Sequence, residues 1–394
     1  MKPKHSAFHK VIYFLSRYLG IILLKKYSFK TDYLPKTKEP YIMLCNHTTE
    51  SDMIMALRAG KKHMYFVCGE HLLRGKFGPA LKKFFDPISI PKGGSSIHAI
   101  KEMRERIQAG YNICLFPEGS RSFNGETEAL TTATGKMVKL FGCGLVTYRI
   151  QGGYFIAPRW GYHFRKGHAE GKITGIYTKE EIAEMTPAKV TEIINNGLYE
   201  NAYETQRKNM YKYEGEGLAE GIGNYLIICP KCGAYDSIKS EGNKFCCEKC
   251  SAEGIYNEYG FLEGKDFGYD SVYDWGKWIE GRFDSDTEAK IASSDDPHKL
   301  LLFEEPGIRL YEIHDDHTDC DLLTGTLYVY PDRLVIGEYV FEFKKIKDLD
   351  MLYYGKSILF TTAQGYFGMT GEHFHAWKEA RLYKRSRGMV SANN

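Results

Sequence analysis

The chain has 394 residues, 43% of them hydrophobic, with 53 Lys/Arg against 50 Asp/Glu. That length exceeds what one core needs and predicts two or three domains; ordinary apolar content, with no low-complexity tract and no internal repeat, excludes a disordered or solenoid chain. The net charge of +3 hides an asymmetry, since residues 1–110 carry 20 Lys/Arg against 8 Asp/Glu and the other 284 residues carry 33 against 42, so one end is suited to phosphate in lipid headgroups, nucleic acid or a substrate.

In chain order, the first element is an apolar run of 14 residues at 11–24 with Arg17 inside it and Lys4, Lys10, Lys25 and Lys26 around it. It is shorter than the roughly 20 uninterrupted apolar residues of a spanning helix. Its aromatics and basic ends predict an interfacial membrane-anchor helix over 1–30, monotopic or peripheral; burial against the body of the protein is the alternative. A buried strand follows at 41–45, a helix at 52–58, strands at 65–68 and 88–90 with a basic helical stretch between them, and a helix at 95–109 ended by Gly110. Then come a strand at 111–116, a helix near 133–141, and strands near 145–149 and 154–158. Strands alternating with helices predict an α/β layer architecture over 31–178, a mixed sheet with flanking helices. Residues 179–224 read as a polar helical linker, 225–262 as a cysteine-rich module and 263–300 as a second linker. Residues 301–387 read as a small β-rich domain, with short strands such as 326–330 and 357–361 and a closing helix at 374–385.

Nine of the ten cysteines fall into two classes. Cys45, Cys68, Cys114 and Cys143 are scattered through apolar stretches as buried free thiols are. Cys229, Cys232, Cys246, Cys247 and Cys250 crowd together. With no cleavable signal peptide ahead of them, they point to metal in a reducing, cytoplasmic setting. Cys229 with Cys232, and Cys247 with Cys250, make two Cys-x2-Cys knuckles 14 residues apart. Four thiolates at that spacing can surround one tetrahedral zinc, and the segment resembles a zinc ribbon with a structural rather than catalytic metal. Cys246 is an alternative to Cys247 as the third ligand.

Two segments carry chemistry. Asn46-His47 through Asp52 follows a strand; a neutral imidazole suits the removal of a hydroxyl proton, and a carboxylate on its other ring nitrogen would fix the tautomer. Five residues span about 500° of helix, so the pair can meet only if His47 lies at the strand end and Asp52 in the first turn of the helix. Otherwise Thr49 is an N-cap and Asp52 a capping-box carboxylate. The run Phe116, Pro117, Glu118, Gly119, Ser120, Arg121, Ser122 also ends a strand. Gly119 allows a tight turn, Glu118 can orient a hydroxyl or a cation, and Arg121 offers a planar fork for phosphate.

Taken together, with Phe116 standing 64 residues after Asp52, the two segments resemble the glycerolipid acyltransferase family, best known for 1-acylglycerol-3-phosphate acyltransferases. The resemblance covers roughly residues 30–175. It implies His47 and Asp52 as base and orienter, acyl-CoA or acyl carrier protein as thioester donor, and Glu118, Gly119 and Arg121 at the acceptor. Lys92 stands where the family commonly has an arginine for the acceptor phosphate, a charge without a bidentate fork. The stretch from Tyr154 to Pro158, followed by Arg159, resembles the family's fourth block. The implied function is transfer of a fatty-acyl group to a lysophospholipid hydroxyl, most readily 1-acylglycerol-3-phosphate, or to another lysolipid or glycolipid, at the cytoplasmic face of a membrane. A non-catalytic ribbon adaptor for nucleic acid or protein is the competing class, but the basic excess lies at 1–110, away from the ribbon. The cluster His314, Asp315, Asp316, His317, Asp319, Cys320 and Asp321 could bind a metal but reads better as an acidic solvated turn between strands, and the terminal β-rich segment resembles a pleckstrin-homology-like domain.

Overall fold

The computed structural model describes residues 6–74, 76–91, 96–314 and 318–389. Lys92, Asp315, Asp316 and His317 therefore lie outside the described residues. Three sheets follow one another along the chain.

The first sheet contains β1 (Lys30–Thr31), β2 (Tyr41–Cys45), β3 (Met64–Gly69), β4 (Ile88–Ile90), β5 (Asn112–Leu115), β6 (Gly144–Gln151) and β7 (Glu170–Tyr177) in the order β1-β7-β6-β2-β5-β3-β4. All neighbours pair in parallel except β6 with β7. Helices cover both faces, which is why β2 and β5 are buried at every position, β2 as a continuous apolar run and β5 as one after Asn112. On one face Ile42, Leu44 and Ile113 pack with Met103 of α5 (Ile97–Gln108), Val138 of α6 (Thr132–Phe141) and Ile194 of α9 (Pro187–Leu198). On the other, Met43 and Cys45 meet Met55 of α2 (Asp52–Ala59). The alternation is the two-residue period of a strand.

α1 (Ser6–Leu24) lies on α2. His9, Tyr13 and Leu24 are buried, and Arg17 donates to the Arg58 carbonyl at 3.3 and 3.1 Å. The charge that interrupts the apolar run therefore faces protein. Val11, Leu15, Tyr18 and Ile22 on the opposite side are 59–71% exposed. The helix has 19 residues, more than the 14 of its apolar run, and by length and composition Ala7–Tyr27 can cross a membrane.

Three expectations are corrected. Residues 154–158 are not a strand: α7 (Gly153–Ile156) is one buried helical turn, entered through Gly152 at φ 77°, where a Cβ would sit 2.3 Å from the His168 carbonyl oxygen. A short, fully buried apolar run has no periodicity to tell the two apart. The 179–224 stretch is more than a linker, because α9 buries Val190, Ile194 and Leu198 and closes one side of the sheet. The 263–300 stretch holds α11 (Val272–Ala292), 21 residues long, which buries Trp275, Ile279 and Phe283. α3 (His71–Arg74), α4 (Gly78–Phe85), α8 (Lys179–Glu184) and α10 (Ala202–Asn209) complete the helices before α11.

The second sheet is β8 (Ile238–Glu241), β9 (Lys244–Cys247), β10 (Glu253–Tyr256) and β11 (Leu262–Glu263), all antiparallel. The third is a four-strand meander, β12 (Phe303–Ile313), β13 (Asp319–Val329), β14 (Arg333–Ile336) and β15 (Tyr339–Glu342). A three-strand meander follows, β16 (Asp348–Leu352), β17 (Ser357–Thr361) and β18 (Tyr366–Thr370), with β18 returning to pair with β12. α12 (Trp377–Ser386) closes it. α11 fastens these parts together: the Trp275 indole N–H donates to the Ile228 carbonyl at 3.0 Å, and Phe283 stacks on Phe303 with centroids 5.9 Å apart. Buried Lys378 of α12 bonds Asp236 of the cysteine module and Glu305 of β12. The largest apolar cluster runs unbroken through all three sheets.

Candidate active site and cysteine cluster

β2 ends at Cys45, and the side chain of Asn46 continues its pairing with β6, donating to the Ile150 carbonyl at 2.9 Å and accepting from the Ile150 N–H at 2.7 Å. This buried amide stops the strand and starts the loop that carries His47. Asp52 opens α2, is wholly buried, and accepts from His47 Nδ1 at 2.9 Å. It also accepts from the Thr48 and Thr49 N–H groups and the Thr48 hydroxyl. A carboxylate only accepts, so Nδ1 carries the proton and Nε2 is the basic nitrogen. The imidazole, 26% exposed, lies 4.7 Å centroid to centroid from the Phe116 ring. The structure thus brings His47 and Asp52 together in the strand-loop-helix arrangement that their spacing requires.

The loop after β5 lies alongside. Gly119 has φ 75° with open space where a Cβ would be, so the backbone conformation rather than crowding calls for glycine. Glu118 spends both carboxylate oxygens on the protein, accepting from the His47 N–H at 2.8 Å and the Glu128 N–H at 3.2 Å. It holds the histidine loop from below. Burial raises its pKa to about 8 against the pull of those two N–H groups. A folded-state pKa above the usual 4.5 means that the Glu118 contribution to stability is fully present below 4.5 and is lost as pH rises through about 8. Glu118→Gln should flatten that fall, and denaturation midpoints at about pH 5 and about pH 8 compare the two proteins; an unchanged slope in the variant would reject the assignment.

Arg121 donates to Glu50 at 3.1 Å and to the Ala157 carbonyl at 3.3 Å. Lys92 is beyond the described residues, and β4, which leads to it, is the edge strand beside β3. Arg159, noted only for its place after Pro158, is buried under the same loop: it donates to the Arg121 carbonyl at 2.8 Å, and its guanidinium lies 4.2 Å from the Phe123 centroid. Burial lowers its pKa to about 10 although Asp350 opposes this. Asp350 had no sequence signal, for it is 230 residues from its partner Ser120. His314, whose spacing to Asp319 matches that of His47 to Asp52, donates its N–H to the Thr318 carbonyl at 3.0 Å and is not part of this site.

The cysteine cluster is separate. Sγ atoms of Cys229, Cys232, Cys247 and Cys250 lie within 4.8 Å of one another. Cys229 to Cys250 is 3.8 Å and Cys232 to Cys247 is 3.7 Å. A thiolate tetrahedron with metal–sulfur bonds of about 2.3 Å has edges of about 3.8 Å, so this donor set fits a metal ion. Two alike knuckles build it: the Gly233 N–H bonds the Cys229 carbonyl at 2.8 Å, and the Ser251 N–H bonds the Cys247 carbonyl at 2.9 Å. Cys246 points to the other side of β9 and stays outside the cluster.

Residues 27–151 match the family model described as Acyltransferase. That segment contains β1 to β6, the His47 loop and the Arg121 loop. No curated protein matches the sequence. Among solved structures, the 1-acyl-sn-glycerophosphate acyltransferase PlsC from Thermotoga maritima aligns at 18% identity and a TM-score of 0.41, over 50% of this chain and 82% of that one.

Proposed function

We propose a lysophospholipid hydroxyl as the acceptor for this protein, which is an acyltransferase by the domain at residues 27–151. The observation that carries the reading is the buried Asp52 carboxylate on His47 Nδ1 at the carboxyl end of a parallel strand, where open α/β sheets bind their ligands. His47 Nε2 takes the acceptor hydroxyl proton as the oxygen attacks the thioester carbonyl. The C–O bond forms, the C–S bond breaks, and the proton passes from His47 to the departing thiolate. Asp52 holds the ring and stabilises the imidazolium. Arg121 and Lys92 would hold the acceptor phosphate, with 1-acylglycerol-3-phosphate the best-fitting acceptor, while Glu118 and Gly119 shape the loop. The donor is acyl-CoA or an acyl carrier protein. The cysteine cluster would hold one structural zinc.

The direct test is thiol release from acyl-CoA, and from acyl carrier protein, with 1-acylglycerol-3-phosphate, a zwitterionic lysolipid and a glycolipid as acceptors. Acceptor-dependent release with the matching diacyl product supports the reading; thiol release that ignores every acceptor rejects it.

The protein works at a cytoplasmic membrane face through α1. Its exposed side offers Val11, Leu15, Tyr18 and Ile22 to lipid, and Lys10, Lys25 and Lys26 flank them. Each such cation adds on the order of 1 kcal/mol at an anionic surface. Deleting residues 1–26 should release the protein from anionic liposomes, most completely at high salt. Unchanged sedimentation would place the anchor elsewhere. Because Tyr13 and Arg17 also cover α2, thermal unfolding must be followed alongside.

A further inference from the structure

The third sheet reaches the candidate active site. Both Asp350 oxygens, on β16, accept from the Ser120 hydroxyl at 2.8 and 2.7 Å. Asp350 also lies 3.5 Å from Arg159, whose guanidinium donates to the Met351 carbonyl on one side and to the Arg121 carbonyl on the other. Arg159 and Asp350 thus form a rivet between β16 and the backbone that carries Gly119, Ser120 and Arg121. The turn after β16 is strained. Tyr353 and Tyr354 hold φ of 49° and 62°, left-handed values that cost non-glycine residues, and Gly355 follows at 85°. The strain sets Gly355 against Phe123 of the same loop, and Tyr354 edge-on to Tyr162 with centroids 5.1 Å apart. A second attachment joins Arg74, just beyond β3, to Asp319 of β13 at 3.1 Å. β3 and β5 are neighbours, so the β-rich domain is fixed over the carboxyl ends of both.

We propose that Asp350 is a positioning residue of the active site. Delivered from the C-terminal sheet, it fixes the Gly119–Arg121 loop through Ser120 and Arg159, so that acceptor binding depends on docking of the β-rich domain. This rests on the acyl-transfer reading above and adds a specificity element outside the matched family segment. The carboxylate does not touch the reacting atoms. Its loss changes where Arg121 points and leaves the His47–Asp52 pair, on the other strand, as it was.

The experiment is steady-state kinetics of the full chain with 1-acylglycerol-3-phosphate and acyl-CoA, varying each in turn, for Asp350→Ala, Ser120→Ala and the double variant. Asp350→Ala should raise the acceptor KM about tenfold, the loss expected for a hydrogen bond to a charged group. The donor KM should stay within twofold. Ser120→Ala should raise the same constant less, and the double variant should be no worse than Asp350→Ala alone, because one bond is being removed twice. Asp350→Glu should recover part of the loss. If Asp350→Ala fails to fold, Ser120→Ala on folded protein decides by the same acceptor KM. The proposal is overturned by an acceptor KM within twofold of wild type in folded variants, by equal rises in both KM values, or by additive losses. His47→Ala, measured in parallel, separates the two ideas. A dead His47 variant with a normal Asp350 variant removes only this inference, whereas an active His47 variant removes the reading beneath it.

Discussion

His47→Ala is expected to lose transfer by about 100- to 10,000-fold, the usual contribution of a positioned general base, while remaining folded. The fold should survive because the loop does not depend on the ring. The His47 N–H is held by Glu118, and its carbonyl accepts from the Ser122 N–H at 3.3 Å. Asp52→Asn should fall less far in turnover but further in stability. The aspartate gathers four donors in the protein interior, and an amide presents an N–H2 where one oxygen accepted. His314→Ala is the control, near neutral in turnover despite its equal spacing to Asp319. The measurement is acceptor-dependent thiol release on protein whose thermal unfolding matches wild type. Folded His47→Ala keeping more than about a tenth of wild-type turnover would remove His47 from the chemistry, since no positioned base contributes so little.

The sheet at the heart of this site was legible where physics is local. Residues 41–45 and 113–115 form apolar runs because helices cover both faces of the sheet, while Asn112 at the head of β5 is buried with its amide on the Tyr41 N–H and the His63 carbonyl. For His47 and Asp52, helix geometry gave only the condition for meeting, strand end against first helical turn, and a capping role for Asp52 stayed open; the pairing was what the family resemblance implied. Residues 154–158 were misread because a buried helical turn and a buried strand have the same apolar composition, and only the φ of Gly152 separates them. Long-range contacts left no trace. Nothing in the sequence ties Ser120 to Asp350 or Lys378 to Asp236, since each is a polar residue whose partner is set by how whole sheets dock. Glu118 shows the same limit in reverse: its motif suggested a substrate contact, yet both its oxygens serve the loops beside it.

Purified protein should hold about one zinc per chain, and Cys229→Ser should lose it together with much of the order of residues 225–262. The reasoning starts from size. Four strands of two to four residues bury few side chains of their own, chiefly Ile238, Phe245, Cys247 and Tyr256. In such modules metal binding supplies most of the folding free energy, about 10–16 kcal/mol in isolated peptides. Here the module is also clamped from outside. The Tyr256 hydroxyl accepts from Arg165 at 3.1 Å, Trp275 stacks over Phe267 at 4.8 Å, and Asp236 receives Lys378 from α12 and His375 from the segment just before it. Metal loss should therefore loosen the β-rich domain as well, through Asp236, and lower the whole unfolding transition instead of melting the ribbon alone. Chemistry should follow only indirectly. Four thiolates fill a tetrahedron and leave no position for a thioester oxygen or a water. At saturating acceptor, turnover per folded molecule should then hold steady in Cys229→Ser while its thermal midpoint drops and its zinc content goes to zero. If chelation halts turnover at once in protein that stays folded and vesicle-bound, the ion has a coordination position that four sulfurs at these separations do not leave, and it acts on substrate.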